Sequence, residues 1–405
     1  MTTTAEGLAT AVGPAVEKAL ATLLSSARAF GDSYPDDTTR DNRYALRPAD
    51  ATHAAGANRG WTTSFPAGMH WLAWELTGQD EFRVHGLRHA RSFDRRVRAG
   101  DDLETHDLGF LYTLSCVAPW RLLAGTEGAA SDEDRAAAAA ARDAALLAAD
   151  HLMGRLLEPA GIVQAWGDLT DPAQRGRTII DSLMNMPLLS WAGEQTGDPR
   201  YADAVRRHTA QLREHMLRPD DSTVHTFYWD PVTGEPLRGA TEQGAFDDSC
   251  WARGQAWGIY GFALNHLATG DPELLDAAER CAAYFLDHLP ADQVPYWDLV
   301  HTDGSAEPRD SSAAAIAVCG LRELAGAVGD ADRAARYTAA ADAMLLSLVE
   351  HCTPGAEGVD SDALLLHAVY DAPKGNGVDE GCLWGDYFYL EALVRTVRPD
   401  WARYW

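Results

Sequence analysis

Thr196-Gly197-Asp198-Pro199 separates IIDSLMNMPLLSWAGEQ (179–195) from RYADAVRRHTAQL (200–212), and its reading decides the fold. A glycine just past a helix end takes the left-handed conformation that closes the helix. The aspartate then caps the next helix, and proline fits that helix's first position. The same turn recurs as Thr77-Gly78-Gln79-Asp80, Thr269-Gly270-Asp271-Pro272 and Val328-Gly329-Asp330-Ala331. Four copies make a weak internal repeat of helix hairpins.

Outward from these turns, helical periodicity dominates and β-branched runs are scarce. It predicts twelve helices, at about 8–29, 64–77, 79–97, 107–124, 131–157, 178–196, 198–216, 247–268, 271–287, 310–327, 330–351 and 382–396. The first member of each hairpin is apolar on most faces, as in LGFLYTLSCVAPW (108–120) and AAAIAVCGLREL (313–324). The second is amphipathic with an arginine-rich face. All-apolar helices belong inside and amphipathic ones outside. Six of each predict an all-α fold, an (α/α)6 toroid. An open solenoid would need polar capping repeats, whereas the last helix, CLWGDYFYLEALV (382–394), is apolar and reads as a ring closure. The loop at 217–246 contains a strand-like run, 224–229, followed by the turn Pro231-Val232-Thr233-Gly234, which predicts a short β-hairpin. The Ala-rich run 136–149 is a good helix former. No linker composition divides the chain, so 1–405 is expected to form one catalytic domain.

Composition narrows the function. A net charge of −26 argues against nucleic acid, which needs a basic face. No apolar run approaches the roughly 18 residues of a membrane helix, and the N-terminal stretch lacks a secretory pattern. The six cysteines are scattered, without a CxxC pair, and read as buried free thiols. A cytoplasmic location is therefore expected. The 13 tryptophans fit either core filling or stacking on sugar rings.

The predicted inner helices carry acids in their first turns: Asp107, Asp181, Asp247, Asp248 and Asp310. Inner helices of a toroid run the same way, so these acids should meet at one mouth. For Asp247 and Asp310 capping accounts for the placement, at about 1 kcal/mol each. Asp107 has His106 beside it. Asp181 is expected slightly inside its helix among Ile179, Ile180, Leu183 and Met184. Desolvation there raises a carboxyl pKa, which suits a general acid. Pro187, expected inside the same helix, should bend it and free a carbonyl. Arg253 and Trp257 share a helix face; Arg253 either grips a substrate carboxylate or is a buried arginine paired with an aspartate. His85 and His89 have i, i+4 metal spacing but sit among Arg83, Arg88 and Arg91 without a following glutamate, which predicts a solvated outer face. No phosphate loop or GxSxG elbow is present, so no metal and no cofactor are expected.

THDLGFLY (105–112), IIDSLMNMPLLSWA (179–192), QGAFDDSCWARGQAWGIYGF (243–262), DSSAAAIAVCGL (310–321) and GVDEGCLWGDYFYLEAL (377–393) together resemble the unsaturated glucuronyl hydrolases, glycoside hydrolase family 88. The likeness runs in order from about residue 40 to the C-terminus. It implies an (α/α)6 enzyme that removes a 4,5-unsaturated glucuronic acid from the non-reducing end of lyase-generated oligosaccharides. The implied chemistry is hydration of the C4=C5 vinyl ether: a proton goes to C4, water adds at C5, and the resulting hemiketal opens to release the rest of the sugar. The resemblance implies Asp181 as general acid/base and Asp107 as assisting carboxylate. It implies Trp61, Trp166, His225, Gln243, Arg253, Trp257 and Tyr370 as substrate-binding positions.

One stretch departs from the family pattern. Some members carry Ser-x-x-Ser-x-Lys after the position of Tyr370 to receive a sulfate; here Asp371, Lys374 and Asn376 stand at those places. Unsulfated substrates are therefore expected. The segment 126–135 is longer than usual for the family. Competing readings are a hydrolase of unsaturated galacturonyl-rhamnose on the same fold, an ordinary two-carboxylate glycosidase or sugar epimerase, and a non-catalytic sugar-binding toroid.

Overall fold

The computed structural model describes residues 5–124 and 131–405; residues 126–130 of the 126–135 segment singled out above lie outside them. In chain order the helices are α1 (Ala5–Phe30), α2 (Ser64–Thr77), α3 (Asp80–Ala99), α4 (Leu108–Tyr112), α5 (Ala118–Ala124), α6 (Asp132–Met153), α7 (Met186–Thr196), α8 (Pro199–His215), α9 (Ala252–Thr269), α10 (Pro272–Asp287), α11 (Ser311–Ala327), α12 (Ala331–His351), the short α13 (Pro354–Glu357) and α14 (Leu383–Val397). A π-helical turn, Thr113–Val117, joins α4 to α5, and a 3-10 stretch, Ile180–Asn185, leads into α7.

The inner ring runs α2, α4–α5, α7 with its 3-10 lead-in, α9, α11 and α14, and α14 packs back on α2 to close it. Outside lie α1, α3, α6, α8, α10 and α12. The fold is the expected (α/α)6 toroid. Inner helices are buried all round: nearly every residue of α9 and α11 is out of solvent. Outer helices bury one stripe, as α6 does with Ala138, Ala141, Ala144, Ala145, Ala148 and Ala149. That stripe of small residues brings α6 close to the α4–α5 segment. At the ring's closed end Trp405 stacks on Phe388, ring centroids 6.0 Å apart, and meets Phe110 edge-on at 5.8 Å.

The repeated turns work by the anticipated chemistry, with two exceptions. Gly78, Gly197 and Gly270 have φ of 66°, 72° and 73°. Asp198, Asp271 and Asp330 accept the capping N–H of Arg200, Glu273 and Arg333. In the first copy Asp80 is already helical and pairs with Arg83 at 2.6 Å. In the fourth, the helix closes on Val328 in extended conformation. The leading threonines also contribute: Thr196 Oγ1 donates to Ala192 O at 2.7 Å and accepts from Asp198 N–H at 3.2 Å. All six cysteines are buried and free. Among the described residues, no helix is long and apolar enough to cross a membrane.

Small sheets decorate the open mouth. Strand β1 (Leu156–Leu157) pairs with β2 (Ile162–Val163). The expected hairpin is β4 (Thr226–Trp229) with β5 (Pro236–Ala240), and β3 (Arg177–Ile179) adds to it antiparallel. Strands β6 (Ala368–Asp371) and β7 (Asn376–Glu380) form another hairpin.

Four local expectations are corrected. Asp181 is not inside an α-helix; it lies in the 3-10 turn between β3 and α7. Pro187 lies in the first turn of α7, where its missing N–H has no carbonyl to lose, so it starts the helix instead of bending it. The helix expected from 247 begins at Ala252, and Asp247 is a loop residue whose Oδ1 accepts Thr241 N–H at 2.9 Å. His85 and His89 are buried, not solvated: their rings stack on His70 at 5.1 and 5.5 Å. The three rings lie side by side between α2 and α3, and burial pulls each imidazole pKa down.

Candidate active site

The N-terminal ends of the inner helices surround a cavity of about 460 Å³. All nine positions singled out from the sequence line it: Asp107, Asp181, Trp61, Trp166, His225, Gln243, Arg253, Trp257 and Tyr370. They come from eight separate stretches of chain, so the ring itself assembles the site.

Asp107 stands at the N-cap position of α4 but caps nothing. Asn185 takes over that task, its Oδ1 accepting Phe110 N–H at 2.8 Å. The Asp107 carboxylate is thereby released to the cavity. Its Oδ2 accepts from Thr105 Oγ1 at 2.7 Å, and its Oδ1 lies 3.3 Å from His106 Nε2. The same His106 nitrogen is 3.9 Å from Asp181 Oδ1, so one imidazole edge faces both carboxylates. Asp181 Oδ1 has no hydrogen-bond partner. The turn carrying Asp181 approaches α4 across Gly109: a Cβ there would fall 2.2 Å from Asn185 Cα. Only glycine permits that approach.

The two carboxylates are electrostatically unequal. Burial raises the pKa of Asp107, while the hydrogen bond from Thr105, the nearby Asn185 amide and the charges of Arg155 and Arg96 pull it back. Burial raises Asp181 further, and the neighbouring Asp107 charge adds to the rise against the pull of Arg253. Asp107 is therefore the member that ionises first, and Asp181 the one that holds its proton longer. His106 is held neutral, its pKa pushed down to about 3 by burial and then by the Arg155 charge.

Tyr370, on β6, organises the opposite wall. Its hydroxyl accepts from Trp61 Nε1 at 3.0 Å, and its carbonyl accepts from Gln243 Nε2 at 3.1 Å and Arg253 Nη2 at 2.7 Å. Arg253 is buried and paired with Asp310 at 3.2 Å, while also donating to Val369 O. Of the two alternatives left open by the sequence, the buried pair is present, and the guanidinium still borders the cavity between the rings of Trp251 at 4.3 Å and Trp384 at 5.1 Å. Asp310 caps α11 as well, through Ser312 and Ala313 N–H. His225 Nδ1 accepts Glu242 N–H at 3.1 Å, which leaves the proton on Nε2, a donor with no protein partner. Burial, then the Arg253 charge, lowers its pKa to about 3, so the ring is neutral. Trp257 is almost wholly buried against Phe110 and Phe388, each at 5.3 Å, and forms the cavity floor. Trp166 carries Arg177 over its ring at 4.8 Å.

Trp251, Glu242 and Ile179 also line the cavity but escaped sequence reasoning. Trp251 is the N-cap of α9, outside the helical spacing that linked Arg253 to Trp257. Asp371, Lys374 and Asn376 complete the rim, with Lys374 Nζ 2.8 Å from Asp371 Oδ2.

An α/α toroid with two buried, unequal carboxylates over an aromatic-lined cavity defines a carbohydrate-active hydrolase. Comparison with known proteins gives the family. Residues 51–396 match the model of Glycosyl Hydrolase Family 88. The chain is 44% identical over 382 residues to the unsaturated chondroitin disaccharide hydrolase of Streptococcus pyogenes serotype M1, covering 93% of this chain and 88% of that protein. The crystal structure of an unsaturated glucuronyl hydrolase from Streptococcus agalactiae superposes with a TM-score of 0.88 at 41% identity, covering 98% of this chain and 94% of that one. A variant of the S. agalactiae enzyme complexed with dGlcA-GalNAc6S gives a TM-score of 0.81 at 38% identity, with 100% and 95% covered. The chain belongs to glycoside hydrolase family 88, the unsaturated glucuronyl hydrolases that its motifs resemble.

Proposed function

We propose that this enzyme releases 4,5-unsaturated glucuronic acid from the non-reducing end of lyase-generated glycosaminoglycan-type disaccharides by hydrating the C4=C5 double bond. The observation that carries the reading is the asymmetry of the carboxylate pair: a buried Asp181 with a free oxygen and a pKa raised well above the ordinary carboxyl range, beside an Asp107 held by Thr105. Asp181 gives its proton to C4. The carboxylate so formed then takes a proton from the water that adds at C5, and the hemiketal opens to free the second sugar. Asp107 acts by its charge, which keeps Asp181 protonated until the substrate is bound. Trp61 and Trp257 supply apolar faces to the sugar ring, and His225 Nε2 offers a donor to a sugar oxygen. Gln243 and Arg253 hold the Tyr370 wall. Arg253 adds positive charge for the uronate without being free to swing.

Unsulfated substrates fit best. Asp371 places a negative charge on the rim, and its pairing with Lys374 occupies the cation that would otherwise meet a sulfate. The experiment is incubation with matched unsaturated disaccharides, sulfated and unsulfated, glucuronyl- and galacturonyl-rhamnose-type, and with a saturated analogue, following loss of the double-bond absorbance and product release. Turnover of unsaturated glucuronyl substrates alone, fastest without sulfate, supports the proposal. Cleavage of the saturated analogue would replace hydration with ordinary glycosidic displacement.

A further inference from the structure

Arg155 lies outside the cavity lining, yet it is one of the most buried cations in the molecule, 2% exposed. Three acceptors take its guanidinium: Gln164 O at 3.0 Å, Gly167 O at 3.2 Å and Glu104 Oε2 at 3.1 Å. The first two bracket the segment 164–167, which passes through an isolated bridge at Trp166 and bends at Gly167. That segment carries Trp166 into the cavity wall. It also binds the turn that carries Asp107, since His106 N–H donates to Ala165 O at 2.8 Å and Thr105 bridges Trp166. Thr105 in turn holds Asp107. The chain of contacts therefore runs from Arg155 through one segment to both a sugar-facing tryptophan and the assisting carboxylate. Glu104, the carboxylate paired with Arg155, is 79% exposed, so water screens that partner and most of the cationic field is left to act inward.

We propose that Arg155 is a positioning residue for the reaction, clamping the 164–167 segment so that Trp166 and the His106–Asp107 turn share one fixed wall, and directing its buried positive charge at Asp107. The proposal rests on the carboxylate-pair reading above. The charged or titratable groups that act with or on Asp107 are His106 on its own turn, Asp181 on the 3-10 turn, Arg96 on α3, Tyr370 on β6 and Arg155. His106 is neutral, so the two arginines are the cations that favour the Asp107 carboxylate. Removing one raises the Asp107 pKa, and activity then requires a higher pH on its acid side. A structural clamp without an electrostatic role would leave that limb in place.

The test is the pH profile of kcat, with kcat and KM resolved separately, for Arg155→Met, Arg155→Lys and Glu104→Gln. Arg155→Met should move the acid limb to higher pH by about half a unit or more, the scale of one buried charge in a medium of effective dielectric about 20. Arg155→Lys keeps the charge but loses the planar fork that spans the three separated acceptors, so KM should rise several-fold while the limb stays. Glu104→Gln changes an exposed side chain and should fold as the parent does; it strengthens the net cation and should move the limb slightly to lower pH. An acid limb unmoved in Arg155→Met overturns the proposal; if Arg155→Met fails to fold, Arg155→Gln, which keeps hydrogen-bonding capacity without the charge, decides it by the same reading. Asp181→Asn run in the same assay separates the two levels. Activity there refutes the carboxylate reading, whereas inactivity there with unshifted Arg155 and Glu104 profiles refutes only the role of Arg155.

Discussion

Replacing Gly109 by alanine puts a methyl group where the backbone of Asn185 already stands. The new Cβ would lie 2.2 Å from Asn185 Cα and 2.5 Å from Asn185 O. Carbon atoms in contact sit about 3.5–4.0 Å apart, so α4 and the 3-10 turn must part by roughly 1 Å or more. Backbone atoms form both sides of the clash, and no rotamer change relieves it. Overpacking of this kind costs about 1–3 kcal/mol. At this chain length, 2 kcal/mol lowers Tm by about 2 °C. The catalytic cost is larger than the stability cost. Asn185 caps α4 through Phe110 N–H, and Asp181 lies in the same turn as Asn185, so the separation opens the carboxylate pair directly. A displacement of about 1 Å at reacting groups costs on the order of 100-fold in rate. The assay is kcat on an unsaturated disaccharide beside thermal unfolding, with Gly326→Ala as control. Gly326 is an exposed helical position with open space around it, and alanine there should stabilise by about 0.5–1 kcal/mol without touching kcat. Gly109→Ala with parental kcat and Tm would refute the claim that this approach sets the site.

Two further outcomes follow from buried charge. Asp386 Oδ1 accepts Leu364 and Leu365 N–H at 2.8 and 3.0 Å, and Oδ2 accepts Tyr44 Oη–H at 3.0 Å, yet burial still pushes its pKa up to about 7. The folded pKa exceeds the unfolded value of about 3.9, so the folded state binds the proton more tightly, and stability is lost as pH rises from about 4 through about 7. Asp386→Asn keeps the oxygen for the two N–H groups and should flatten that fall in denaturant unfolding measured across the same window; an unchanged slope would contradict it. Asp107 and Asp181 contribute with the same sign, so the slope should shrink and not vanish. Arg253→Lys removes the planar fork that spans Asp310, Val369 O and Tyr370 O, and should both destabilise by about 1–3 kcal/mol and raise KM through the loosened Tyr370 wall. A rise in KM with unchanged stability would make Arg253 a direct substrate ligand instead.

Much of this was legible in the sequence because helix periodicity and turn chemistry are local. The four Gly-Asp turns announced the hairpins, and the contrast of apolar with amphipathic members announced inside and outside. What failed was decided by packing across the ring. Asp181 sits in apolar sequence that reads as helix, but pairing of β3 with β4 holds the preceding residues extended, and the helix starts only at Met186. His85 and His89 are surrounded in sequence by arginines, yet at helical spacing they fall on the buried stripe of α3, facing His70. Asp107 occupies a cap position without capping because Asn185, 78 residues later, supplies the acceptor; no local pattern could have shown that. The hydrolase family was recognisable from five short motifs, and those motifs mark the stretches that the ring brings to one mouth.

The central claim is that Asp181 carries the proton for hydration while the rest of the cavity binds the sugar. Asp181→Asn tests it most directly, by calorimetric binding of an unsaturated glucuronyl disaccharide alongside its turnover. The account predicts affinity within a few-fold of the parent and turnover reduced by about 10³-fold or more. Turnover close to that of the parent enzyme would contradict it.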